Sequence, residues 1–72
     1  MKERLRLVVM ESNVPQHVNA ELCGISLPYL NHLMSGYKDE PSISVLVALA
    51  RHFDVSVDWL LGISDVRRGF AA

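Results

Sequence analysis

A chain of 72 residues, half of them hydrophobic, has room for one domain and one core, and is short enough for self-association to help it. Its one cysteine, Cys23, excludes an intramolecular disulfide framework; with no signal-peptide pattern and no apolar run near the roughly 20 residues that span a bilayer, a cytoplasmic protein with no membrane partner is expected. Seven Lys and Arg against eight Asp and Glu leave a net charge of -1, which counts against nucleic-acid binding unless the cations are gathered on one side.

Punctuation along the chain predicts five short helices. Leu5, Val8 and Val9 stand at helical spacing and mark a first helix from about Lys2 to Ser12, with Leu7 and Met10 adding apolar surface beyond one stripe. Asn13 to Pro15 breaks it. Asn13, followed three residues later by Gln16, reads as the reciprocal cap of a second helix, with Pro15 in the first turn where a missing N–H costs nothing. That helix runs through Ala20 and Leu22 to Gly24, which can take the left-handed conformation that ends a helix. Ser26 caps a third, with Pro28 in its first turn, and Tyr29, Leu30, Leu33 and Met34 carry it to Gly36. Residues 37–41 form a polar loop, in which the acids Asp39 and Glu40 read as a solvated turn. Ser42 caps a fourth helix, whose Leu46, Leu49, Ala50 and Phe53 step by three and four until Asp54 ends it. Ser56 caps a fifth, anchored by Trp59, Leu60 and Leu61 before Gly62. Residues 63–72 lack periodicity and are expected to fray. No segment alternates as a half-buried strand does, so the expected class is all-α, with 1–62 as the domain and 63–72 as a tail.

Two short helices joined at Gly24 make a helix-turn-helix candidate, a weak signal alone because helical hairpins with glycine are common. The wider pattern is more specific. Pro15-Gln16-His17-Val18-Asn19-Ala20, Gly24-Ile25-Ser26, Leu30, Leu33, Ser35-Gly36 and Pro41-Ser42 resemble the Cro/lambda-repressor-type family, also called the XRE family. The ending Leu49-Ala50-Arg51-His52-Phe53-Asp54-Val55-Ser56-Val57-Asp58-Trp59-Leu60-Leu61-Gly62 is similar to that family's fourth and fifth helices, so the resemblance covers about residues 2–62. It implies a compact five-helix lambda-repressor-like DNA-binding domain with the helix-turn-helix at helices 2 and 3 and the third helix in the major groove. It also implies that Gln16 touches a phosphate and braces the recognition helix. Ser26, Leu27, Pro28 and His32 would face the bases, Asn31 and Ser35 share their outward side, and Tyr37 and Lys38 would touch the backbone. Tyr29 and Tyr37 each have two readings, packing at the core edge or a hydroxyl on a phosphate.

Several positions depart from the family pattern. From Ser26 to Gly36 there is no Arg, Lys or Gln, the strongest bidentate readers of guanine and adenine. Asn31 remains for adenine, His32 as a donor to guanine, and Leu27 with Pro28 for thymine methyls, so direct readout should be modest and lean to A·T steps. The family often carries Arg at Val9 and Glu at Met34, a buried ion pair between helices one and three; here both are apolar, and a packed hydrophobic contact is expected instead. At Asn19 the family prefers leucine, so either Val18 takes over some packing or helix two is slightly rotated. Lys2, Arg4 and Arg6 open helix one, Lys38 follows the recognition helix, and Arg67 and Arg68 lie in the tail. With Asp54, Asp58 and Asp65 in the far half, a dipolar domain with a mild positive edge is expected.

Other chemistry finds little support. His17, His32 and His52 are spaced too irregularly for a metal site, and Cys23 beside a helix end reads as a small buried hydrophobe. No catalytic constellation is present, and neither cofactor nor small-molecule ligand is implied. Leu7, Met10, Ile43, Val47 and Ile63 exceed what one core needs and suggest association, the family-typical homodimer forming through the region after helix four. The expectation is a prokaryotic or phage regulator that binds double-stranded DNA at an operator as a homodimer and represses by occlusion, either a minimal repressor or a domain cut from a larger protein. The alternative is a protein-interaction module on the same fold, for which the neutral recognition helix and slight acidity speak.

Overall fold

Ser26, Ser42 and Ser56 each lie in extended backbone and accept a hydrogen bond from the amide three residues on, at 3.2, 3.4 and 3.0 Å. Three helices therefore begin where their serines place them. The computed structural model describes residues 1–36 and 41–68. Its elements are α1 (Lys2–Ser12), α2 (Gln16–Leu22), α3 (Leu27–Ser35), α4 (Ile43–Phe53) and α5 (Val57–Leu61), with no strand among the described residues. The fold is all-α, with the helix-turn-helix at α2 and α3.

The link between α1 and α2 corrects one expectation. Asn13 does not open α2; it closes α1 in the left-handed conformation, φ 52°. Asparagine tolerates that region better than other side chains, and it suits a helix end as well as a helix start. Pro15 occupies the capping position of α2, with no side-chain cap bond. The turn after α2 is a paired closure: Ile25 N–H bonds Ala20 O at 3.0 Å and Gly24 N–H bonds Glu21 O at 3.0 Å, with Gly24 at φ 74°.

The core is built around α1, which packs against α3, α4 and α5. Leu5, Val8 and Val9 meet Leu30 and Leu33 of α3, Leu49 and Ala50 of α4, and Val55, Trp59 and Leu60 at and before α5, with Ala20 and Cys23 closing the α2 side. Val9 is buried, and Met34 packs half-buried against this core; the two line one open cleft between α1 and α3. Apolar surface thus stands where the family carries its ion pair.

At Asn19 the structure shows a feature that neither expected adjustment included. It stays in the core, 1% exposed, and brings its own partners. Its Nδ2 donates to Ser12 Oγ at 3.0 Å, and its Oδ1 lies 2.9 Å from His52 Nε2. The buried amide is thus satisfied at both ends.

Residues 63–68, expected to be loose, run back across α5 and α1. Ser56 N–H bonds Arg67 O at 2.7 Å, and Ser56 Oγ donates to Val66 O at 2.9 Å. Arg4 reaches from α1 to Trp59 O and Ser64 O at 2.7 and 2.6 Å. The Arg4 and Arg67 guanidiniums lie 4.8 and 4.9 Å from the Trp59 ring centroid, a doubly cation-contacted indole. Residues 69–72 lie outside the described residues.

Candidate nucleic-acid interface

Apolar spacing divides α3 into two sides. Leu30 and Leu33 are buried, while Pro28, Asn31 and Ser35 are exposed on the opposite side. The outer surface of the helix is therefore open to a groove. Ser26, exposed at its head, accepts from Tyr29 N–H with one oxygen lone pair and keeps a hydroxyl proton to donate. Leu27 and Tyr29 are half-buried and pack against the core, so of the two roles expected for Tyr29 the structure displays the packing one. The Tyr29 and His32 rings stack, centroids 6.4 Å apart and planes 15° from parallel, and the imidazole is half-buried. Ser35 donates its proton to His32 O at 2.7 Å and retains only acceptor capacity. Gln16 is exposed as the first residue of α2, and among the described residues its amide has no hydrogen-bond partner. Tyr37 and Lys38 lie outside the described residues. Seven of the expected contact residues thus gather on or at the head of α3, and Gln16 stands beside it on α2.

This arrangement, a short helix closed at Gly24 and a capped, half-open second helix, is what a helix-turn-helix requires. A family model described as Helix-turn-helix matches residues 5–60. The chain belongs to the Cro/lambda-repressor-like, XRE-type helix-turn-helix family. That family is one of DNA-binding transcription regulators, and not an enzymatic one. No match was found among curated proteins or among solved structures. Among the described residues no group of three or more His, Cys, Asp or Glu could hold a metal, and no helix is long and apolar enough to cross a membrane.

Charge placement in this helix-turn-helix domain is set partly by ion pairs across the fold. Arg4 pairs with Asp65 at 3.1 Å, Arg68 with Asp54 at 3.4 Å, and Arg67 with Glu11. Two of these pairs tie residues 63–68 to α1, and the third joins Arg68 to Asp54 at the end of α4. The Glu11 carboxyl is held below the usual carboxylate range by its hydrogen bond to Arg67, which raises Arg67 in turn. Burial pushes the Cys23 thiol up, fitting the role of a small hydrophobe.

Two cations missed as a pair lie against α3. Arg6 Nε donates to Met34 O at 2.6 Å, and the Lys2 methylenes lie where a Cβ added at Gly36 would collide with them. In sequence Lys2, Arg4 and Arg6 look like one cluster. The helical period separates them: residues four apart share a face, while Arg4 turns toward α5.

Proposed function

We propose that this chain binds an operator in duplex DNA sequence-selectively as a homodimer, with α3 in the major groove, and represses transcription by occlusion in the cytoplasm. The observation that supports this best is the exposed outer side of α3 in a chain of this family. In this reading Asn31 takes adenine through its N6 and N7 edge, His32 donates to guanine, and Pro28 with Leu27 meets thymine methyls. Ser26, Tyr29 and Ser35 flank those contacts, Gln16 holds a phosphate, and Tyr37 and Lys38 would complete the backbone contacts.

Selecting bound fragments from a random DNA pool tests this directly. An inverted repeat with A·T steps at the half-site centres is expected, and Asn31→Ala should cost about 1–3 kcal/mol at the adenine position alone. A pool without enrichment would overturn the reading. The second reading, a protein-interaction module, draws on the net charge of -1 and on a recognition helix without Arg, Lys or Gln. Absent or salt-insensitive binding to random duplex would favour it.

A further inference from the structure

We propose that Lys2 and Arg6 form a clamp for a single DNA backbone phosphate, built on the carbonyl end of α3, and that Arg6 also positions the recognition helix. The inference rests on the DNA-binding reading above and adds to it a polar tie between α1 and the end of α3.

The last carbonyls of a helix have no helical donor and carry its negative pole. In α3, His32 O receives the Ser35 hydroxyl, and Met34 O receives Arg6 Nε from α1 at 2.6 Å. Lys2, one turn before Arg6 on the same face, lies against Gly36 just past the end of α3. Both side chains are exposed, and among the described residues the Arg6 guanidinium makes no other hydrogen bond. A guanidinium carries five N–H donors in a rigid fork. With Nε committed to Met34 O, the two Nη groups remain for the paired oxygens of a phosphodiester, and the Lys2 ammonium adds a second positive charge beside them. Arg4, Arg67 and Arg68 are engaged with Asp65, Glu11 and Asp54, so they are not available for this role. Closing the clamp on a phosphate would fix the tilt of α3 in the groove, because the same planar group holds both.

The test uses the full chain and a random-sequence duplex, with affinity measured across a salt series, then a selected site for comparison. Arg6→Gln and Lys2→Gln should each weaken binding to every duplex about three- to tenfold near 0.1 M salt and lower the salt slope by about one per bound protomer. Arg6→Lys should keep the slope yet lose part of the preference for the selected site over random duplex, because a point charge cannot hold Met34 O and a phosphate together. Arg68→Gln, on the Asp54 pair, should leave the slope unchanged. A purely structural Arg6 would leave the slope of Arg6→Gln at the wild-type value, and that result overturns the clamp while the DNA reading stands. An equal slope loss in Arg68→Gln, or Arg6→Lys behaving as wild type, also overturns it. Wild-type protein without salt-dependent DNA binding overturns both.

Discussion

At the scale of single residues, the Asn19 site has a determined direction. Ser12 Oγ donates its only proton to Val9 O at 2.6 Å, so toward Asn19 it can only accept. The amide must then turn Nδ2 to Ser12 and Oδ1 to His52, and His52 must carry its proton on Nε2. Every bond in the chain Val9, Ser12, Asn19, His52 points the same way. Asn19→Asp reverses the sign at one end, setting a carboxylate oxygen against the Ser12 lone pairs in a site 1% exposed. It should cost about 1–3 kcal/mol in urea unfolding. Asn19→Leu, the residue the family prefers, keeps the γ-branched shape with bulkier methyl groups and releases Ser12 and His52, both half-buried and able to reach water; its stability should stay within about 1.5 kcal/mol of wild type. A large loss in Asn19→Leu together with a tolerated aspartate would refute the directed chain. None of this was legible along the sequence. Asn19 stood out only as an odd residue, because its partners lie 7 and 33 positions away.

At the scale of elements, what could be read was whatever is encoded within a turn of the chain. The bounds of α1 and the serine caps of α3, α4 and α5 are local chemistry, and each was visible. Asn13 was misplaced for a local reason too, since one amide serves a helix start or a left-handed stop. Gly24 is the simplest element-level test. At φ 74° and with no heavy atom within 4 Å of an added Cβ, its need for glycine is conformational and not steric. Gly24→Ala should therefore destabilise by about 1–2 kcal/mol and Gly24→Asn by less, read from denaturant midpoints. Equal stability of all three would show that the turn relaxes. The tail was illegible because its ties span 56 and 61 residues, from Arg67 to Glu11 and from Arg4 to Asp65. The lowered carboxyl of Glu11 gives that strap a pH signature. Its contribution is whole above the ordinary carboxylate range and is lost as pH falls through the lowered value of the folded state. Trp59, the chain's one tryptophan and in contact with Arg67, should report the release as a change in fluorescence at acid pH. Glu11→Gln should already show that change at neutral pH, and an acid titration identical to wild type would place the signal elsewhere.

The whole molecule sets how such a domain can bind DNA at all. With a net charge of -1 and three arginines paired with acids, one protomer offers few cations to phosphate, and in the proposed reading affinity would come from pairing two half-sites. The domain measures 28 × 25 × 20 Å, and in the proposed homodimer the two recognition helices would have to stand about 34 Å apart, one DNA turn, to enter successive major grooves. The surface proposed for that contact follows α5, where Leu61 is 37%, Ile63 74% and Val66 62% exposed. Leu7 of α1, 40% exposed, lies between Arg4 and Glu11, both of which bond this same segment, and so extends the patch. Burying one isoleucine is worth about 1.5–3 kcal/mol, and a carboxylate in its place adds a desolvation cost. Ile63→Asp should therefore weaken self-association at least about tenfold in sedimentation, and make operator binding cooperative only at higher protein concentration. The salt slope per protomer should not move, because no phosphate contact is touched. Unchanged association in Ile63→Asp with a loss in Ile43→Asp, on the outward side of α4 at 79% exposure, would shift the two-fold axis to the other end of the domain. That axis decides the half-site spacing, so the spacing of the selected inverted repeat and the response to Ile63→Asp must agree.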